Sequence, residues 1–323
     1  MKTNLSQTPE ETPKDLTLDQ IMERFNTDES ARAYWESIHW PHGAVCPHCK
    51  NNDQKFICKI QANEKKEVRA GLHQCLKCRK QFTSTIGTIF EDSHIPLRKW
   101  IVAFYLNSSS KKGISSLQLQ RILDLGSYRT ALFMQHRIRH ALRDPIFNDK
   151  LSGTVEVDET YVGGKQQGVG YGSKKGKVPV VSLLERGGRV RSQVMRHVTG
   201  KNLKQVVKDN VLICSEVHTD ENRGYLGLEP KFTHCSVKHS AKEYVRREKN
   251  RLVTTNGVEG FFSLLKRGVV GTFHHVSEQH LPLYLSEFDH RHNTRFLTDG
   301  ERTVIGLKKA NGKRMLYKQP VSR

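Results

Sequence analysis

Two groups of residues in this chain have the types and spacings of metal chemistry. The first is a pair of knuckles, Cys46-Pro-His-Cys49 and Cys75-Leu-Lys-Cys78. Four thiolates brought together at such spacing close a tetrahedron around Zn²⁺, with Zn–S bonds of ~2.3 Å. Gly43, Pro47 and Lys77 supply turn and loop chemistry beside them, and two chance CxxC pairs are the alternative reading. His48, Cys58 and His73 lie close enough in sequence to replace one ligand. A site made of four protein ligands has no open position, so this zinc would hold a small domain together rather than do chemistry. Cys214 and Cys235 fall outside the pattern and are expected as buried or half-buried residues.

The second group is acidic. TVEVDETYVGG, residues 154–164, sets Glu156, Asp158 and Glu159 inside a run otherwise built for burial in a strand. A carboxylate buried alone is costly or is driven neutral, so an inward-pointing Asp158 needs a compensating cation. Mg²⁺ suits that place, because it takes hard oxygen ligands and is held by one or two carboxylates plus substrate phosphate oxygens. Strand alternation puts Glu156 and Asp158 on one face and Val155, Val157 and Glu159 on the other, so Glu156 and Glu159 cannot both point to one site. A solvent-facing acidic edge is the competing reading of this stretch. Asp220 ends SEVHTD, and Glu259 lies in TTNGVEGFFSLLKRGVVGTFHH. In the latter, Val258, Phe261, Phe262 and Leu265 follow helical spacing as a buried stripe, while Glu259, Ser263 and Lys266 share another face. Glu259 can thus face Asp158 and Asp220. Asn256 followed by Glu259 also fits a helix capping box, which needs no catalysis.

These side chains require elements to hold them. Residues 1–15 are polar and are expected to be disordered, and LDQIMERFNTDESARAYWESIHWP predicts one or two helices leading into a zinc ribbon. QFTSTIGTIFE predicts a strand of that ribbon, and Pro96 opens a helix through LRKWIVAFYLNSS. In the next stretch, Ser115 or Ser116 is a candidate N-cap, a helix runs to about Leu125, and Gly126 makes the turn. A second helix carries Arg129, His136, Arg137, Arg139 and His140. This is a helix-turn-helix pattern whose second helix could lie in a major groove, with Arg129 and Arg137 on DNA; a helical hairpin packed on the next domain is the plainer alternative.

From Gly153 the pattern turns to strands. Three antiparallel strands with a Gly187-Gly188 hairpin, a helix over NLKQVVKDNV, a further strand at SEVHTD and a later helix describe a mixed α/β sheet of the ribonuclease H type. In that topology the first and fourth strands lie side by side, making Asp158 and Asp220 neighbours. KQQGVGYGSKKGK, residues 165–177, reads either as a cationic loop that tracks a DNA backbone or as a solvated hairpin tip. His218, His274 and His275 lie near the acidic motifs, where structural roles compete with orienting ones. The organisation expected is a helical segment over 1–40, a zinc ribbon over 41–92, a helix-turn-helix region over 93–148, a ribonuclease H-like catalytic domain over 149–300 and a basic tail over 301–323.

Composition points to the partner. In 323 residues, Lys and Arg total 53 against 33 Asp and Glu, a formal net charge of +20. Such an excess attracts polyanions, and nucleic acid leads among them. No apolar run approaches the ~18 residues of a spanning helix, and the start lacks the apolar stretch of a signal peptide. A cytosolic, nucleoid-associated protein with no membrane partner is therefore expected, and a reducing compartment disfavours disulfides among its seven cysteines.

Taken together, CPHC and CLKC, TSTIGTIFEDSHIPLRKW, VEVDETYVGGK, HTDENRGY, TNGVEGFFSLLKRGVVGTFHHVS and LSEFDHRHNTR resemble bacterial insertion-sequence DDE transposases with an N-terminal zinc ribbon, of the ISXO2-like family. The resemblance runs from about Trp40 to Arg295. It implies a ribonuclease H-like fold and catalytic acids Asp158, Asp220 and Glu259, with Asn256 as a contender for the third place. It also implies that Lys266, seven residues beyond Glu259, contacts DNA, with Arg267 beside it. Two Mg²⁺ or Mn²⁺ ions bridged by Asp158 would support cleavage at transposon terminal repeats and then strand transfer into target double-stranded DNA. At least a dimer on DNA is implied by the family. A DNA-binding regulator with a dead catalytic domain and a ribonuclease H-like nuclease without strand transfer are the rival readings.

Overall fold

A computed structural model describes residues 17–144, 149–163, 176–248 and 251–316. The segment 1–15 and most of the Gly- and Lys-rich stretch 165–177 lie outside the described residues. The chain forms two compact units, one from the residues up to 111, 116–142 and 297–316, the other from 112–115 and 143–296.

The first unit holds the knuckles. Helices α1 (Leu18–Arg24) and α2 (Asp28–His39) start at Thr17 and Thr27, whose side chains accept first-turn amides. Strands β1 (Ile57–Ile60), β2 (Leu72–Cys75) and β3 (Gln81–Phe82) form a small antiparallel sheet in that order. The alternating run after the second knuckle predicts a longer strand, but only Gln81–Phe82 pairs. Beyond it, hydroxyls compete with the ladder: Thr83 and Thr85 bond each other at 2.8 Å, and Thr88 donates to the Thr85 carbonyl at 2.6 Å. Helix α3 (Leu97–Ser109) comes directly after Pro96, and α4 (Ser116–Ile122) and α5 (Tyr128–Leu142) pack as a pair. Helix α4 stops at Ile122, short of Leu125, and the Ser127 hydroxyl accepts the Thr130 amide at 3.1 Å to open α5. Residues 301–309, expected within a basic tail, instead form most of the last helix, Asp299–Lys309, started by a Thr298–Glu301 capping box. That helix packs against α3, where Gly306 lets the Phe104 ring approach: a Cβ there would lie 3.0 Å from the ring.

The second unit is a mixed sheet between helices. Strands β4 (Thr154–Val162), β5 (Val178–Glu185) and β6 (Val190–Val194) are antiparallel, the last two joined through Gly187 at φ +74°. Helix α6 (Gly200–Asn210) leads to β7 (Glu216–Thr219), which returns parallel to β4, and β8 (Thr233–Ser236) pairs parallel to β7. The order across the sheet is β6-β5-β4-β7-β8. A separate hairpin of β9 (Val245–Glu248) and β10 (Arg251–Thr254) precedes α7 (Asn256–Gly268), and α8 (Leu281–Asn293) comes after it.

Alternation along β4 and β5 builds two cores. Val155, Val157, Val181 and Leu183 pack with Leu203 and Val207 of α6. Val180 and Leu184 pack on the opposite face with Val258, Phe261, Phe262 and Leu265 of α7, the stripe expected from the spacing. Helix α8 also covers the outer edge of β6. Asp289 accepts the Ser192 amide at 2.8 Å, and Asn293 both accepts the Val190 amide at 2.7 Å and donates to its carbonyl at 3.1 Å. These side chains occupy backbone groups that an open edge would leave unpaired.

One carboxylate fixes α7 to the sheet. Glu156, 2% exposed, accepts the Val258 amide of the first turn of α7 at 3.1 Å through Oε2. Its Oε1 accepts Arg186 Nη2 at 2.9 Å, and Arg186 in turn donates to the Leu252 carbonyl at 2.9 Å. Gly257 makes the approach feasible, because a Cβ there would lie 2.6 Å from Glu156 Oε2. Glu156→Ala is therefore expected to destabilise this unit by roughly 2–3 kcal/mol, the range for hydrogen bonds to a charged group. Glu156→Gln, which keeps an acceptor for Val258, should cost less; urea unfolding of both variants checks the order.

Candidate functional site

The register of the sheet makes the acid pair. Glu156 of β4 stands opposite His218 of β7 in a parallel ladder, so two residues further along both chains Asp158 comes beside Asp220. Carboxylate oxygens of Asp158, Glu159 and Asp220 lie within 4.8 Å of one another. Asp158 keeps the face expected of it, shared with Glu156 towards α7. Glu156, however, is spent on Arg186 and Val258, and Glu159 from the other face joins the cluster instead. β7 ends at Thr219, so on the side of β4 away from β5 no strand of the sheet stands between Glu159 and the Asp220 turn. Sequence reasoning set Glu159 aside; DE at the end of a strand pairing was the available signal.

Each acid is held by short-range partners. The Asp158 carboxylate accepts the Glu159 amide at 2.7 Å, and Asp220 accepts the Asn222 amide at 3.0 Å. Glu159 accepts the Asn222 side-chain amide on one oxygen and the Tyr225 hydroxyl, at 2.5 Å, on the other. Burial, and after it the Glu159 carboxylate, holds the Tyr225 phenol well above its ordinary pKa, so it stays a donor. Burial, then the neighbouring Asp220 charge, pushes Asp158 up to about 8. A cluster of hard oxygen donors in which Asp158 resists ionisation fits a divalent cation, which would reverse that penalty.

Glu259 stands apart from the cluster. Its carboxylate accepts the Thr255 hydroxyl at 3.2 Å and lies 3.2 Å from His239 Nε2, yet its charge is among those that raise Asp158. The expected Asn256–Glu259 capping box is absent: Thr255 holds the N-cap position, Asn256 is the first helical residue, and the amide of Val258 is satisfied by Glu156 from across the sheet. Asn256 is exposed. Lys266 and Arg267 are exposed on α7. A cavity of about 400 Å³ beside the acids is bordered by Glu159, Tyr161, Lys177, Asp220 and Lys266. It brings two ammonium groups to the rim of an acidic centre.

Glu216, His218 and Cys235 also gather ligand atoms within 4.8 Å. The bonds of His218 argue against a metal there. Its Nδ1 faces two donors, Arg186 Nη2 at 3.2 Å and the Thr254 amide at 3.4 Å, which places the ring proton on Nε2, donated to Glu216 at 2.9 Å. The nitrogen facing the cluster then has no lone pair for an ion, and a metal-bound histidine normally donates from its other nitrogen. His218 is a strut between β7 and β10. His274 and His275 are exposed, as is Cys214, which was expected to be at least half buried.

In the first unit, Cys46, Cys49, Cys75 and Cys78 converge within 4.8 Å, and His48, Cys58 and His73 are not among them. The Sγ atoms of Cys46 and Cys78, and those of Cys49 and Cys75, are 3.6 Å apart. That is far from a disulfide at ~2.05 Å and close to the ~3.8 Å edge of a tetrahedron with ~2.3 Å Zn–S bonds. The backbone amide of Cys78, then the Cys49 thiol and the Lys77 amide, draw the Cys75 thiol down to about 7 against the opposing effect of burial. His73 is stacked on Phe82, ring centroids 5.6 Å apart, as part of the ribbon core. On α5, Arg129 is exposed near the helix start. Arg137, expected beside it on DNA, is buried: its guanidinium donates to the Ile89 carbonyl at 2.9 Å and lies over the Phe133 ring.

Two family models match parts of the chain. Residues 150–293 match the ISXO2-like transposase domain, and residues 26–81 match the transposase zinc-ribbon domain. A protein of Halobacterium salinarum described as an uncharacterized protein in transposable element ISH50 is 28% identical over 289 residues, covering 83% of this chain and 91% of that protein.

These geometries lead to two expected outcomes. Cys75→Ser should reduce bound zinc, measured by elemental analysis, from about one ion per chain to near none; full zinc content would contradict the four-cysteine site. For Asp158, a pKa raised on folding means that stability is complete below the ordinary carboxylate range and is lost as pH rises to about 8. In metal-free buffer the melting temperature of Asp158→Asn should therefore gain on wild type between about pH 4 and 8 and hold a constant lead above; a gap independent of pH would contradict the shift.

Proposed function

We propose that this chain, which carries an ISXO2-like transposase domain behind a transposase zinc-ribbon domain, is a DNA transposase that cuts at the ends of its element and joins the freed strand to target DNA. The observation that carries the reading is the convergence of Asp158 and Asp220 from two parallel strands, with Lys266 and Lys177 bordering the adjoining cavity. The strand order β6-β5-β4-β7-β8, with three antiparallel strands and then two parallel ones, supports a ribonuclease H-like catalytic domain.

In this reading Asp158 and Asp220 hold divalent cations, Mg²⁺ or Mn²⁺. When bound, such a pair of ions supplies an activated water or 3′-hydroxyl on one side of the scissile phosphate and stabilises the leaving oxygen on the other. The protein's own part is placement and charge. Its carboxylates are held by amides and hydroxyls before substrate arrives, and Lys266 meets a flanking phosphate as a point charge. Glu259, whose charge reaches Asp158, is the third acid; Asn256, three residues earlier on the same helix, is tested beside it. Arg267 extends the basic edge of α7, and Arg129 with the α4–α5 pair contacts terminal-repeat DNA as a helix-turn-helix. Two ends must be joined, so the working form is at least a dimer on double-stranded DNA, at the nucleoid in the cytoplasm. Among the described residues no helix is long and apolar enough to cross a membrane.

Cleavage of DNA carrying the element's ends is expected to require Mg²⁺ or Mn²⁺. Asp158→Ala and Asp220→Ala should each lower it by at least about a thousandfold, several kcal/mol of lost transition-state stabilisation, with end binding retained. Lys266→Ala should instead weaken binding and reduce its salt slope by about 1. Precut ends with free 3′-hydroxyls should be joined to target DNA; cutting without joining would show a nuclease, and binding without cutting a regulator.

A further inference from the structure

Asp220 stands where the β-ladder no longer holds it. The β4–β7 pairing has its last rung at Glu156 and His218, and β7 itself ends at Thr219. The chain then enters a turn, Asp220 to Tyr225, that must keep one carboxylate within 4.8 Å of Asp158 despite the repulsion between them. Glu221 of the turn accepts the Ser240 amide at 3.1 Å, but the two anchors nearest the acids are the same residue. Glu159 accepts the Asn222 side-chain amide through Oε1 and the Tyr225 hydroxyl, at 2.5 Å, through Oε2. Asn222 is the hub: its backbone amide donates to Asp220 at 3.0 Å, and its side-chain oxygen accepts the Gly224 amide at 2.9 Å. Tyr225 is 0% exposed and packed in the core with Leu203 and Val157, so its hydroxyl is a fixed point rather than a passing contact.

We propose that Glu159 is a positioning residue, which sets Asp220 against Asp158 through Asn222 and Tyr225, and not a ligand of the ion. The inference rests on the reading that Asp158 and Asp220 hold a divalent cation. Its content is which oxygens are engaged: Asp158 and Asp220 each accept their turn amide through Oδ1, whereas Glu159 accepts a donor of the Asp220 turn on each of its two oxygens. Partners that orient ligands in this way carry much of a site's affinity, about 10- to 100-fold when removed.

Bond direction also supplies the test, because the pair can be reversed at constant charge. In Glu159→Gln the amide oxygen still accepts Tyr225, but its NH₂ faces the NH₂ of Asn222. Adding Asn222→Asp turns that clash into a donor–acceptor pair, returns the negative charge to the turn and leaves an oxygen for the Gly224 amide. The measurement is Mn²⁺ titration of the full-length protein, read by the electron paramagnetic resonance of the free ion, with circular dichroism melts alongside.

Glu159→Gln is expected to weaken Mn²⁺ binding by about 10- to 100-fold, and the double variant to recover to within about threefold of wild type. Tyr225→Phe, which removes one anchor and fills the same core volume, should give an intermediate loss. Weakening by Glu159→Gln without rescue in a folded double variant would make Glu159 a ligand and overturn the proposal. So would unchanged Mn²⁺ affinity in Glu159→Gln while Asp158→Ala abolishes binding. A wild-type protein that binds no Mn²⁺ at all overturns the metal reading beneath it, an outcome separate from the other two because it appears before any substitution.

Discussion

The second unit depends on a buried carboxylate that does no chemistry. Glu156 occupies the strand position two residues before Asp158 and on the same face, and it holds the first turn of α7 and the Arg186 guanidinium together. A buried ion pair is weak evidence for net stability, since desolvation offsets much of the attraction. Its value here is geometric. Arg186 ties to carbonyls of β10, Glu156 ties to an amide of α7, and the junction between those elements is the Thr255–Asn256 turn that starts the helix carrying Glu259 and Lys266. Moving Glu156 would move everything that faces Asp158 from that side.

The acid cluster is placed where the sheet stops supporting it. Within the ladder, Glu216 and His218 form an internally matched pair, with the histidine proton directed at the carboxylate. Past the end of β7 amides and hydroxyls orient Asp158, Glu159 and Asp220. Burial and like charge therefore leave Asp158 protonated until about pH 8. Hydrogen bonds from neutral donors fix positions while leaving the electrostatic deficit for a cation to satisfy, which is what a binding site needs and a structural ion pair lacks.

Much of this was legible in residue patterns because it obeys local rules. The CxxC spacing identified four converging thiols, the apolar stripe of α7 identified its buried face, and alternation placed Asp158 and Glu156 together. What escaped was set by contacts distant in the chain. Asn256 and Glu259 satisfy the local pattern of a capping box, but the α7 amide is taken by Glu156, 102 positions away. Arg137 reads as a basic helix edge, yet that face of α5 turns inward to the Ile89 carbonyl. Strand alternation puts Glu159 on the face opposite Asp158, yet past the end of β7 its carboxylate reaches the Asp158–Asp220 cluster; LSEFDHRHNTR places Asp289 and Asn293 on the edge of β6.

The cysteine cluster and the acid cluster make opposite demands on the fold. The four thiols of the cysteine site would enclose a zinc ion on a sheet too small to be stable alone, so metal affinity there would be folding free energy. The carboxylate site is held by a two-sided core, and the Asp158 charge opposes folding as it ionises. A closed soft-ligand centre gains by being filled permanently. An open hard-ligand centre has to tolerate being empty, since its remaining coordination positions belong to water and substrate phosphate. The raised pKa of Asp158 fits that tolerance: without a cation the cluster takes up a proton and sheds one repulsion, and a cation bound there would displace it.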